Sequence, residues 1–223
     1  MIIVYHKNNT VVKAVRNEEK FFVPSLSMAT TLVYLAEMYP QDWLIWCEED
    51  LSSNLNRPNL EKVFHHHKIM ASYGIADEHY IPAAIGYVEQ SPFINVNKTV
   101  TYPTWLMSST VGGIHSSVLL QIGTKIKQDA NFDYFINSVA KVGMTEGLFC
   151  YSDPRLLINL SKKRIEKKVA NSFTLFRFVK QHYKKRWLLL LLLNLLLFEG
   201  RLPFMAFCYA LFYFSFYYLS LLN

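Results

Sequence analysis

Cysteine is scarce in this 223-residue chain: Cys47, Cys150 and Cys208 are scattered, odd in number, and never spaced as a CxxC pair. That excludes a disulfide framework and fits a reducing compartment. A GxxxxGK[ST] phosphate loop, a GxSxG nucleophile elbow and zinc-ligand spacing are all missing, which removes the chemistries those motifs serve. The start, MIIVYHKNN, has no cationic segment followed by a long apolar core; it predicts a first β-strand and no signal peptide. There is no internal repeat, and the leucine run is the one low-complexity stretch.

Charge is missing where apolar residues collect. The chain is 52% hydrophobic, and from Trp187 onward Glu199 and Arg201 are its only charged side chains. Residues 1–154 carry 11 Lys and Arg against 15 Asp and Glu, a net −4; residues 155–186 carry 11 against one, a net +10. The overall +6 therefore sits in one short stretch. A basic face for duplex nucleic acid is not supported, so no nucleic-acid partner is expected. A basic band beside a greasy tail points to a membrane.

WLLLLLLNLLLF (187–198) has one polar interruption, Asn194, and the turn signal EGRLP follows. Residues 202–223 hold no charged side chain and reach the roughly 20 apolar residues a bilayer crossing needs. Before them, SFTLFRFVKQHYKKRW (172–187) places Phe173, Phe176, Val179 and Tyr183 at helical spacing among Arg177, Lys180, Lys184, Lys185 and Arg186. This predicts a basic amphipathic helix lying in the headgroup layer. The tail then forms either a membrane helical hairpin or a shallow entry with one span, and its helices offer a surface for homo- or hetero-oligomers. The Lys and Arg excess places residues 1–186 on the cytoplasmic side of an inner or plasma membrane.

Residues 1–160 predict an α/β domain with a parallel or mixed sheet. Strands are expected at 1–5, 43–47 and 147–152, and helices at 25–41 (capped by Ser25 or Ser27), 59–74 (ended by Gly74), 114–122 and 131–142. Residues 11–24 read as turn-like, and 80–91 and 96–105 as containing short extended pieces. His65, His66 and His67 on a helix would point three ways and read as a polar face.

WLIWCEEDLSSN (43–54) runs a buried-looking strand into Glu48, Glu49 and Asp50. After this acidic cluster come TWLMSSTVGGIHSSVLLQIG (104–123), DANFDYFINSVAKVG (129–143), GLFCYSDPRLL (147–157) and FRFVKQHYKKRW (176–187). This order resembles the inverting nucleotide-sugar glycosyltransferases of the GT-A fold, family two, over roughly residues 40–187. The family usually has about a hundred residues before its cluster, which is of Asp-x-Asp type; here 47 residues precede Glu48 and the cluster is Glu-Glu-Asp.

The resemblance implies a compact GT-A-like, Rossmann-like mixed sheet. It also implies transfer of a sugar, with inversion, from a nucleotide-sugar donor to a lipid-linked or membrane-proximal acceptor. Glu48, Glu49 and Asp50 would hold Mg²⁺ or Mn²⁺, since hard cations prefer carboxylate oxygens. Strand alternation favours Glu48 and Asp50 over Glu49. Trp105 would stack on a sugar, with Ser108, Ser109, Gly112 and Gly113 forming a turn that opens a helix and His115 touching a phosphate. Asp133, or failing it Asp129, would be the general base. A non-catalytic membrane scaffold or subunit of a larger assembly is the second reading.

Overall fold

Ile2, Ile3 and Val4 open a strand because β-branched side chains suit a pleated, buried surface. Strand β1 (Ile2–Lys7) turns at Asn8 and Asn9 into β2 (Thr10–Arg16). Both asparagines have positive φ, 50° and 64°, and Lys7 faces Thr10. Two such residues make a type I′ turn, whose twist matches that of the strands it joins. Strand β3 (Glu19–Phe21) pairs antiparallel with β2. The expected turn-like stretch 11–24 is thus mostly strand. This is a computed structural model; it describes all residues except 18, 24–26, 76–78, 91–92, 95, 127–128, 160–168 and 221–223, and only the backbone of 214–220.

Helix α1 (Met28–Met38) starts where Ser27 Oγ accepts from Thr30 N at 3.3 Å; Ser25 and Leu26 of the expected helix lie outside the described residues. Strand β4 (Trp43–Glu48) is as expected, one residue longer. The predicted helix 59–74 is replaced by a short helix α2 (Arg57–Val63) and a strand β5 (Ile69–Tyr73). His65, His66 and His67 therefore lie between elements and not on a helix face. The apolar run IMASY pairs on both sides, with β7 (Val111–His115) and β8 (Phe149–Ser152). Such an enclosed strand carries no period-2 signal to set it apart from helix. A short strand β6 (Tyr102–Pro103), helix α3 (Ser116–Gly123) and helix α4 (Phe132–Thr145) complete this part. Within 80–91, expected to contain short extended pieces, Ala83–Tyr87 form a 3-10 helix.

Among the described residues there are eight strands in one mixed sheet and seven α-helices, an architecture compatible with a Rossmann-like fold. The strand order is β3-β2-β1-β4-β7-β5-β8-β6. β1 and β4 are parallel, as are β5 and β8, and β7 runs antiparallel between β4 and β5. One end of the sheet therefore gathers the carboxyl ends of β1, β4, β5 and β8 with the amino end of β7. The sheet ends in three residues at β3 and two at β6.

Gly112 and Gly113 sit inside β7, where a Cβ at Gly113 would fall 2.4 Å from Ile45 Cδ1 and 2.8 Å from Phe64 Cζ. One face of the sheet buries Ile45, Leu60, Phe64 and Leu156 in a single cluster. On the other, Trp46 and Phe132 are fully buried and meet edge to face at 5.6 Å. Such an aromatic pair adds about 0.5–1.5 kcal/mol beyond its area burial.

The chain divides into two compact units, Met1–His79 with Val96–Glu166, and Tyr80–Asn95 with Lys167–Asn223. The sheet belongs to the first. The second holds helices α5 (Ser172–His182), α6 (Arg186–Glu199) and α7 (Phe204–Ser220). Asn171 caps α5 by accepting from Thr174 N at 3.0 Å. Gly200 in the left-handed conformation, φ 64°, stops α6. The Tyr183 hydroxyl donates to Glu89 at 2.5 Å, tying the chain after α5 to the segment before Asn95.

Two expectations for this unit change. Phe176 and Val179 of α5 are fully buried and Phe173 is exposed, so only part of the expected apolar face is open. Helices α6 and α7 are 14 and 17 residues long. At 1.5 Å per residue they span about 21 and 26 Å against a hydrocarbon core of about 30 Å. Among the described residues no helix is long and apolar enough to cross a membrane. The part of the basic stretch between 160 and 168 lies outside the described residues.

Candidate functional site at the carboxyl end of the sheet

In open α/β sheets ligands bind beyond the carboxyl ends of the strands. At that end β1 delivers His6 and β4 delivers Glu48, residues that face each other in the parallel register. The segment before β7 is laced to both strands. His6 Nε2 donates to the Ser109 carbonyl at 2.8 Å, Trp46 Nε1 donates to the Ser108 carbonyl at 3.0 Å, and Glu48 N donates to the Thr110 carbonyl at 2.8 Å. From β5, Ser72 Oγ accepts from Ser108 N at 2.9 Å. Ser108 and Ser109 are thus at the expected end of the sheet, with Ser109 buried and their carbonyls committed to neighbouring strands.

Helix α4 brings its start to the same place. Asn131 caps it by accepting from Tyr134 N at 2.9 Å, and Asp129 Oδ1 accepts from Asn131 N at 2.8 Å. Phe132 packs edge-on against His6 at 5.7 Å and against Trp46 at 5.6 Å. Asp133, half-buried in the first turn, follows directly. One turn on, the buried Asn137 amide clamps the pre-β7 segment. Its Oδ1 accepts from Met107 N at 3.0 Å, and its Nδ2 donates to the carbonyls of Met107 at 3.0 Å and Asp133 at 2.7 Å. Sequence reasoning passed over His6, Asn137 and Ser72; an Asn within an apolar helix was the visible signal.

Other expected site residues lie elsewhere or differently. Gly112 and Gly113 are strand residues and open no turn. His115 closes β7 opposite Trp43, at the far end of β4 from Glu48, about 16 Å away at 3.3 Å per residue. It is buried, caps α3 by accepting from Ser117, and stacks on His67 at 4.0 Å. Burial, then His67, holds its pKa below the usual histidine value. Trp105 is 2% exposed with the Lys141 ammonium 5.1 Å from its ring centroid, so its face is not open to a sugar.

Strand alternation stops at Glu48, because Glu49–Leu51 form a 3-10 turn. At three residues per turn, Glu49 and Asp50 diverge by about 120°. Glu48 and Glu49 are half-buried and Asp50 is exposed. Among the described residues no three His, Cys, Asp or Glu side chains gather as a metal-holding group. Beneath Glu48, Cys47 is buried and its thiol is pushed up to about 12, by burial first and then by Glu48.

A cavity of about 420 Å³ that sequence reasoning did not single out opens on the other face, lined among others by His65, His66, Tyr151, Asp153 and Arg155. Asp153 is buried and accepts from Arg155 Nε at 3.0 Å and Nη2 at 2.7 Å, fixing the guanidinium at the rim. None of the residues expected to bind donor or metal is among its described lining residues.

In the second unit, the Arg177 guanidinium lies 5.9 Å from the Tyr213 ring centroid. Lys180 is half-buried, with its pKa lowered by burial and then by Lys185. Lys184, Lys185 and Arg186 are exposed. Comparison with protein families, with curated proteins and with solved structures finds no match to this chain.

Proposed function

We propose that the chain is a membrane-attached glycosyltransferase of GT-A-like build, moving a sugar with inversion from a nucleotide donor to a lipid-linked or membrane-proximal acceptor. The observation that carries this reading is the convergence of Glu48 and the start of α4 at the carboxyl end of one mixed sheet, through Phe132 on His6 and Trp46. Acidic residues of two separate elements thus stand near the sheet end at which such folds take ligands, which supports the reading.

Glu48 and Asp50, with Glu49 beside them, are the carboxylates suited to Mg²⁺ or Mn²⁺. Mg²⁺ in nucleotide chemistry commonly takes one or two protein carboxylates with the phosphate oxygens, so a three-residue cage is not required. The ion would neutralise charge on the departing diphosphate. Asp133 accepts the proton of the acceptor hydroxyl as its oxygen bonds to the anomeric carbon. The bond from that carbon to the diphosphate breaks on the opposite side, releasing a nucleoside diphosphate. Asp129, held by Asn131, is the reserve base. A non-catalytic scaffold is the second reading, favoured by the commitment of the Ser108 and Ser109 carbonyls to Trp46 and His6.

Thermal unfolding with Mn²⁺ and a panel of nucleoside diphosphates tests the assignment. One nucleotide at a hundred times its Kd should raise stability by about 2.7 kcal/mol, a Tm rise of roughly 5–10 °C for a chain of this size. Glu48→Gln and Asp50→Asn should abolish the rise; Asp133→Asn should keep it and lose transfer. A flat response to every nucleotide with metal, or an unchanged response in both acidic-cluster variants, overturns the enzyme reading.

A further inference from the structure

Helix α6 carries leucine on two sides. Leu188, Leu191, Leu192 and Leu195 are buried, whereas Leu189, Leu193, Leu196 and Leu197 are 44% to 72% exposed. The exposed four follow i, i+4, i+7, i+8 spacing and form one stripe. Phe198, Met205 and Phe212 are each more than half exposed and add to the apolar surface. Apolar exposure on this scale marks an interaction surface.

The charges around the stripe define what it meets. Lys184, Lys185 and Arg186 stand exposed where α6 begins. A helix start already carries partial positive charge, and no acidic residue lies in this first turn. Phosphate-bearing head groups beside a hydrocarbon layer complement that pattern. At the other end of α6 the two charged residues, Glu199 and Arg201, pair with each other.

The packing of α7 sets its orientation. Phe173 meets Tyr209 at 5.7 Å, Phe176 meets Phe207 at 6.2 Å, and Arg177 meets Tyr213. Phe173–Tyr209 and Arg177–Tyr213 step four residues along both helices in the same sense, and Phe176–Phe207 adds a third contact, so α7 packs against α5. A helix bearing Arg177 and Lys180 is expensive to carry through hydrocarbon. A helix packed along it shares its plane.

We propose that the second unit seats in one leaflet of an anionic membrane and crosses nowhere. The exposed stripe of α6, with Met205 and Phe212 of α7, enters the upper acyl region, and Lys184, Lys185 and Arg186 rest on lipid phosphates. This rests on the membrane attachment in the proposed function and is independent of sugar transfer, so loss of nucleotide binding leaves it standing.

The test uses the full chain and vesicles of phosphatidylcholine, with or without phosphatidylglycerol. Flotation should be strong on the mixed vesicles and weak on the neutral ones. Lys184→Gln, Lys185→Gln and Arg186→Gln together should lower partitioning to the anionic vesicles about a hundredfold, at ~1 kcal/mol per charge. Fluorophores on Met205→Cys and Phe212→Cys, each with Cys208→Ser, then report depth through lipids brominated near the head group or near the chain end. Both probes should be quenched most by the shallow bromines. A Phe212 probe quenched most by deep bromines beside a shallow Met205 probe indicates a span and overturns the in-plane seating. Equal flotation on both vesicle types overturns the phosphate contact. No flotation on either, with the chain sedimenting as a dimer, overturns membrane docking in favour of a second copy on the stripe.

Discussion

A Cβ at Gly112 would stand 2.4 Å from Cζ2 of Trp46, so the indole fills the space that a side chain at position 112 would need. The Ala71 carbonyl oxygen, 2.6 Å from the same point, closes the other side. Gly112→Ala is therefore expected to destabilise the fold by about 1–3 kcal/mol, the usual cost of overpacking. A urea midpoint that falls with an unchanged slope checks this. Adding Trp46→Leu should cost less than the two single changes summed, because the ring's share of the clash is gone and the backbone share remains.

Asn137 satisfies both backbone polar groups of Met107 with one amide. Asn137→Ala leaves a buried N–H and a buried carbonyl without their partner, at about 1–3 kcal/mol each. The expected result is a loss of about 2–5 kcal/mol with faster amide exchange at residues 107–110. Under the proposed function the nucleotide response weakens too, because the segment joined to His6 and Trp46 is released.

The pH dependence of stability follows from His115. Its folded pKa lies below the ordinary histidine value because it is buried and stacked on His67, with a backbone hydrogen bond at Gln41 and then Asp42 acting the other way. Between the two values the unfolded chain binds the proton and the fold does not, so stability rises with pH. It is fully present above about pH 6.5 and is lost as pH falls toward the lower folded pKa. Unfolding scans from pH 7.5 to 5.5 should show a falling Tm. His115→Gln should flatten that slope while lowering Tm at pH 7.5; an equally steep slope in the variant would exclude His115 as its source.

Cys47 and Cys150 are buried, and burial is the first cause that pushes both thiols up to about 12. Thiolate is the reactive form. Neither should react with a disulfide reagent at pH 8 in the native protein, and both should react at once in denaturant. Rapid native labelling of Cys47 would contradict the packing of β4.

The sequence exposed some of this architecture and hid the rest for identifiable reasons. Trp43–Glu48, Met28–Met38 with its Ser27 cap, and Phe132–Thr145 announce themselves through apolar runs and capping residues. Ile69–Tyr73 did not, since a strand paired on both sides has no alternation, and the expected helix 59–74 absorbed it. Asn8-Asn9 between two β-branched runs is a readable hairpin signal that the turn-like reading of 11–24 did not use. Gly112-Gly113 suggested a turn because glycine serves both turns and close packing, and only the positions of Trp46 and Phe64 separate the two uses. The acidic cluster was legible as a strand end, but the divergence of Glu49 and Asp50 depends on a 3-10 turn that no local pattern marks. His6 was invisible as a site residue because its partner, Ser109, lies 103 residues along the chain; Asn137 showed only as an Asn within an apolar helix, since its partner Met107 lies 30 residues away.

The sheet's outermost strands, Glu19–Phe21 and Tyr102–Pro103, offer few unpaired amides to a neighbouring chain, and one of their five residues is a proline with no N–H to offer. Ribbon-like recruitment of further copies through these borders is therefore disfavoured. In a crowded cell this protects an eight-stranded layer from templating fibrils.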